Sequence, residues 1–158
     1  MQTKIVTGKF KGKTLSTTQA NKELRPTQAL IRESIINTCL SLYDFDFSEL
    51  EVLDLYSGIG TMGLEFLSSG VKSVTFVEKH SSCKRAIEEN LQKFSAHKQG
   101  FIIQGMANTV IKRFKKSVDL VFLDPPFKQR FEITIKIIQD IILQNILSDK
   151  GYLIFQTS

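Results

Sequence analysis

From Glu51 onward, short continuous apolar runs alternate with stretches whose apolar residues recur every three or four positions. A run of this length suits a buried strand, whereas the three-to-four spacing builds one face of a helix. Val52-Leu53-Asp54-Leu55-Tyr56 therefore reads as a first strand, followed by a glycine loop and a helix from Thr61 to Ser69 that Gly70 closes. Val74-Thr75-Phe76-Val77-Glu78 is the second strand. The next helix takes Ser81 or Ser82 as its N-cap and carries Ile87, Leu91 and Phe94 on one face. Phe101-Ile102-Ile103 is a third strand, Val110 to Phe114 lies in a short helix, and Val118 to Leu123 is a fourth strand. The helix from Ile133 to Leu143 packs on the sheet through Ile137, Ile138, Ile141 and Ile142, and Gly151 to Phe155 is a fifth strand. Strands apolar on both faces, alternating with helices, predict an α/β domain: a doubly wound, mostly parallel sheet covered on both sides.

Ahead of this alternation, Thr27 to Tyr43 carries a helical stripe of Leu30, Ile31, Ile35, Cys39 and Leu42, with Pro26 placed to start the helix. The charge is concentrated here. Residues 1–32 hold Lys4, Lys9, Lys11, Lys13, Lys22, Arg25 and Arg32 against Glu23 alone, in a chain whose net charge is +5. Such a head suits a polyanionic partner or, more plainly, a solubilising tail. Residues 1–45 are expected to form this basic extension and helix, and 46–158 the ligand-binding body of one compact unit. At 158 residues a single domain is expected. No apolar run approaches the roughly 20 residues of a membrane span, and the polar start has no apolar secretory core. Cys39 and Cys83 lack metal-like spacing and read as packed thiols of a cytoplasmic protein. His80 and His97 read as surface residues.

In a doubly wound sheet, ligands bind beyond the C-terminal ends of the strands. Asp54, Gly58, Glu78, Met106 and Asp124 all lie at or just past those ends. Gly58, Gly60 and Gly63 permit a tight turn and close backbone approach, and Glu78 stands where a carboxylate accepts both hydroxyls of a ribose. This spacing meets the dinucleotide fingerprint, so a nicotinamide-dependent oxidoreductase is one reading. Asp54 argues against it, because a carboxylate inside the loop repels a pyrophosphate but can hold a cationic amino group. An adenosine ligand of the S-adenosylmethionine type fits better, with Tyr56 and Ser57 as further contacts.

The fourth strand ends in Asp124-Pro125-Pro126-Phe127. Neither proline has an N–H, so carbonyl acceptors face outward beside a carboxylate and a flat ring. That surface suits an amino group on an aromatic base. A rigid strand-to-loop turn is the plainer alternative.

Together, Asp54-Leu-Tyr-Ser-Gly58-Ile-Gly60-Thr-Met-Gly63, Glu78 and Asp124-Pro125-Pro126-Phe127 resemble the first, second and fourth motifs of class I S-adenosylmethionine-dependent methyltransferases. Gly8-Lys-Phe-Lys-Gly12-Lys-Thr-Leu15, Arg25-Pro26-Thr27 and Arg32-Glu33 look like the head of the bacterial 16S rRNA (guanine(966)-N(2))-methyltransferase family. The resemblance runs from about Ile5 to Phe155. It implies a Rossmann-like methyltransferase sheet, S-adenosyl-L-methionine as cofactor, no metal, and transfer to the exocyclic N2 amine of a guanine in 16S rRNA. The implied partner is that RNA or the assembling small ribosomal subunit, bound by a monomer. Asp124, Pro125, Pro126 and Phe127 would be catalytic. Lys9, Lys11, Lys13, Arg25 and Arg32 would grip phosphates, Arg25 and Arg32 alternatively bracing the active-site face of the helix, and Phe10 would stack on a nucleotide or face the core. Two departures stand out. The family has an acid after the third strand where this chain has Gly105-Met106-Ala107, so adenine would rest on backbone groups and apolar packing there. Relatives add an antiparallel hairpin after the fifth strand, and a sheet without it leaves an exposed edge at Phe155. Two rival functions remain: a DNA adenine or cytosine amino-methyltransferase, disfavoured because no target-recognition domain is visible, and a catalytically weak RNA-binding assembly factor.

Overall fold

In the computed structural model, which describes residues 2–17 and 27–157, the apolar runs form strands β1 (Glu51–Leu55), β2 (Ser73–Glu78), β3 (Gly100–Gln104), β4 (Val118–Leu123) and β5 (Leu147–Phe155). Helix α1 (Ala29–Leu42) precedes them, and α2 (Thr61–Ser68), α3 (Ser81–Lys93), α4 (Ala107–Arg113) and α5 (Phe131–Leu143) connect them. The sheet order is β3-β2-β1-β4-β5, with every pairing parallel. The order reverses between β2-β1 and β1-β4, which opens a crevice at the C-terminal ends of the central strands.

The two faces of the sheet bury separate cores. Val52, Val74, Phe76, Leu120 and Phe122 pack against α1, α2 and α3. Leu53, Leu55, Val77, Val121 and Leu123 pack against α4 and α5 through Ala107, Ile111, Ile137 and Ile141. Phe66, Phe76 and Phe122 are fully buried, and each such side chain stabilises the fold by about 1.5–3 kcal/mol relative to exposure.

Several expectations change in detail. On α1 the buried face is Arg32, Ile36 and Cys39, while Leu30 is 78% exposed and Ile31 and Leu42 are also exposed. Ile35 and Cys39 of the expected stripe do face the core, together with Ile36, while Arg32 takes an inner position and pairs with Glu65. Ile142 is exposed as well, since α5 meets the sheet through Ile137 and Ile141. His80, not Ser81 or Ser82, occupies the N-cap of α3 and makes no side-chain capping bond. Strand β5 starts earlier than its apolar run: Leu147 pairs with Val118, and the register then shifts before Leu120 pairs with Tyr152. Cys39 and Cys83 are both buried, and burial pushes the Cys39 thiol up to about 12. His80 and His97 are exposed.

The basic head folds back on itself. Lys4 and Thr14 form an antiparallel bridge, and Ile5, Phe10 and Leu15 enter the core beside α2 and α3. Phe10 stacks at 5.1 Å from Phe94, so its ring belongs to the protein interior and not to a nucleotide.

Candidate active site

Asp54, Glu78 and Asp124 arise from the neighbouring strands β1, β2 and β4, the last two flanking the first. Parallel pairing puts the C-terminal ends together, so the three carboxylates gather at one edge. Asp54 is 1% exposed and accepts a 3.0 Å hydrogen bond from the Gly63 amide in the first turn of α2. Burial, with the nearby Asp124 and Glu78 charges adding to it, raises its carboxyl to about 8 against the pull of that amide. Burial likewise raises the Asp124 carboxyl, and a hydrogen bond from the Thr27 hydroxyl counters it.

The loop between β1 and α2 is shaped for a ligand. Tyr56 is a non-glycine residue in the left-handed region at φ 63°, a conformation that costs about 1–2 kcal/mol and persists where surroundings fix it. Here the next residue is locked: the Ser57 amide donates to Val77 O, its hydroxyl donates to Asp54 O, and the Val77 amide donates to that hydroxyl. Gly58 and Gly60 also have positive φ, and a side chain at Gly58 would point into open space. Glu78 accepts from the Gly58 amide at 2.8 Å and from the His80 amide at 2.8 Å, which aims its carboxylate over the loop. Gly63 has a different task from the one its spacing suggests. A Cβ there would lie 2.1 Å from the Phe76 ring, so this glycine serves helix–sheet packing, and its amide serves Asp54.

Beyond β4, Asp124 and Pro125 are half-buried, Pro126 is exposed and Phe127 is 84% exposed. Two residues absent from the sequence-based site join this group. Thr27, just before α1, donates to Asp124 Oδ2 at 3.4 Å. Gln129 accepts a 2.7 Å bond from the Tyr56 hydroxyl, donates to Thr134 Oγ1 at 2.9 Å, and its amide donates to Pro126 O. It thereby ties the glycine loop to the Asp-Pro-Pro-Phe turn and to α5. The position of Thr27 beside Arg25-Pro26 was the available signal for the first; nothing in the spacing marks Gln129.

Met106 is 56% exposed at the start of α4 and Ala107 is buried, both at the end of β3. Of the two roles open to Arg32, its burial and bonds fit bracing and not a grip on phosphate. It is 3% exposed, pairs with Glu65 at 3.0 Å, and donates to Thr27 O and Lys4 O. Glu65, fully buried, also accepts from the Val6 and Thr7 amides and the Thr7 hydroxyl. Arg32 thus fastens the head and the segment bearing Thr27 to α2. Lys9, Lys11 and Lys13 are exposed, and Arg25 lies outside the described residues, as does Pro26. Among the described residues no group of three or more His, Cys, Asp or Glu could hold a metal ion, and no helix is long and apolar enough to cross a membrane.

Known proteins resemble this chain in sequence and in fold. The chain is 33% identical over 126 residues to the ribosomal RNA small subunit methyltransferase D of Buchnera aphidicola subsp. Baizongia pistaciae, covering 78% of this chain and 61% of that protein. It is 30% identical over 129 residues to the protein of the same name in Haemophilus influenzae, covering 80% and 64%. The chain therefore spans a little under two thirds of the length of these relatives. Among solved structures, the Escherichia coli protein yhhF superposes with a TM-score of 0.82 at 24% identity over 98% of this chain and 81% of that one. The SAH-bound methyltransferase PaMTH1 of Podospora anserina superposes with 0.69 at 17% identity over 82% and 53%. The fold is the Rossmann-like fold of methyltransferases. Matched over residues 3–158, the chain belongs to the family described as Conserved hypothetical protein 95.

Proposed function

We propose that this protein transfers a methyl group from S-adenosyl-L-methionine to the exocyclic N2 amine of a guanine in small-subunit ribosomal RNA. The observation that carries the reading is the gathering of Asp54, Glu78 and Asp124 on three adjacent strand ends, next to the half-buried Pro125 and the exposed Pro126 and Phe127. The names of the relatives support an RNA substrate and methyl transfer.

The acceptor-rich edge fits the cofactor's chemistry. Three acidic groups in one crevice, one of them held at a raised pKa by burial and by the other two, favour a ligand bearing positive charge. When bound, S-adenosylmethionine supplies an electrophilic methyl group on a sulfonium together with a cationic amino group. Glu78, anchored by two amides, retains lone pairs for ribose hydroxyls. Asp54 lies beneath the loop and stabilises cationic charge above it. Met106, at the end of β3, offers an apolar surface for a flat adenine ring.

On the substrate side, an exocyclic amine is a weak nucleophile because its lone pair is delocalised into the ring. The Asp124 carboxylate and the Pro125 carbonyl accept the two N–H bonds and pull the nitrogen toward pyramidal geometry. Phe127, exposed at the rim, stacks on the base once it has left its helix at a cost of a few kcal/mol. The surplus proton leaves to water. Positioning carries most of the rate enhancement.

Asp124→Ala is expected to abolish methyl transfer to 16S rRNA or assembling small subunits while calorimetry still detects S-adenosylmethionine binding. Undiminished transfer by that variant overturns the mechanism. Mass spectrometry of the RNA product identifies the nucleoside, and a modified base other than N2-methylguanosine overturns the proposed target.

A further inference from the structure

Lys9, Lys11 and Lys13, in and beside the turn of the head, lie toward the opposite end of the sheet from Asp124. Helix α2 starts at the C-terminal end of β1 and runs back to the N-terminal end of β2, and α3 does the same between β2 and β3. The turn of the head meets both helices at their far ends. The Phe10 amide donates to Ser68 Oγ at 2.8 Å, Gly8 lies against the Ser68 carbonyl, and Phe10 stacks on Phe94 just after α3. A five-residue strand is about 15 Å long, so roughly that distance separates the head's turn from the catalytic edge.

At this far end the ammonium groups are arrayed, not scattered. Lys9 Nζ sits 5.0 Å from the centre of the Phe10 ring. Lys13 Nζ sits 5.2 Å from the same ring and 5.6 Å from Phe94. Lys93, in the last turn of α3, donates to Thr14 O at 2.6 Å. Lys11 and Lys98 are exposed on the same two segments. Residues 2–17 and 92–100 contain no acid, and among the described residues none of these five lysines is held in an ion pair. Aromatic rings hold two of the charges in place without neutralising them, so little side-chain order is lost when an anion arrives.

From this we infer that the protein carries a second RNA-binding surface, made of Lys9, Lys11, Lys13, Lys93 and Lys98, which grips backbone phosphates of a segment away from the methylated nucleotide. The inference rests on the RNA reading above. A row of ammonium groups outside any ion pair among the described residues reads phosphates, so it adds affinity and salt dependence without sequence preference. It also gives the small domain a reason to prefer a large folded RNA over an isolated loop.

The test compares K9Q/K11Q/K13Q with the wild type in binding to full-length 16S rRNA and to a hairpin that contains only the target loop, over a range of salt concentrations. Each lost phosphate contact lowers the log–log salt slope by about 0.7–0.9, so the triple variant should lose roughly 2 units of slope and at least tenfold in affinity on the full-length RNA. On the hairpin it should bind as the wild type does. K9R/K11R/K13R, which keeps the charges, should restore the slope and so separates loss of charge from loss of fold. An unchanged slope on the full-length RNA overturns the surface. An equal loss on both RNAs overturns its separation from the target site. Binding is read without cofactor, so an absence of methyl transfer by the wild type would sink the proposed reaction and leave this measurement intact.

Discussion

Asp54 is held in a setting that opposes its own ionisation. Its carboxyl is buried under the loop, with a single amide partner and two further acids nearby, and is raised to about 8. In the unfolded chain it returns to the ordinary value of 3.8. Below that value both states are protonated and the group costs nothing. As pH rises from about 4 to about 8 the unfolded chain releases the proton while the folded one retains it, so folding stability falls across that window. Urea denaturation of the unliganded protein should therefore show a decline between pH 5 and pH 8. Asp54→Asn, which keeps the shape and cannot ionise, should flatten it. A decline of the same size in the variant would assign it to other groups. A cationic ligand reverses the preference, since its charge favours the ionised carboxylate; its affinity should rise with pH through the same window.

At the scale of the element, α1 is where the sequence pattern was least legible. Leu30, Ile31 and Leu42 look like a core stripe, yet the helix turns Arg32 inward to meet Glu65, and Ile36 and Cys39 follow it. Periodicity counts apolar residues and cannot anticipate a buried charge whose partner is 33 positions away. Gln129 escaped notice for the same reason: its value lies in joining Tyr56 to Thr134, and no local spacing encodes that. Both failures concern polar groups satisfied at long range. The consequence is testable. Arg32 holds Thr27 O, Thr27 reaches Asp124, and Glu65 holds the head, so Arg32→Met leaves a buried carboxylate without its counter-charge. The loss should be about 3–5 kcal/mol in chemical denaturation. A cost below about 1 kcal/mol, the range of surface pairs, would show that the pair is more hydrated than its burial indicates.

For the whole molecule, the strand sequence and the glycine loop were readable because each depends on local chemistry: runs of apolar residues for buried strands, and positive φ at Gly58 and Gly60 for the turn. Parallel topology then did what no single segment could, carrying Asp54, Glu78 and Asp124 to one edge. The acidic edge is assembled from separate strands, so a ligand bound there links β1, β2 and β4 and stabilises the fold as a unit. At a free concentration one hundred times its dissociation constant, such a ligand adds about 2.7 kcal/mol. For a domain of this size each kcal/mol raises Tm by about 2–4 °C, so S-adenosylhomocysteine should raise it by roughly 5–11 °C. Glu78→Ala removes the acceptor proposed for the ribose and frees two loop amides, and should abolish most of that rise. Lys11→Gln, at the far end of the sheet, should retain it in full. A thermal shift that Glu78→Ala leaves unchanged would place the ligand elsewhere on the molecule, whereas one lost in both variants would mean that the two ends of the sheet are coupled through α2.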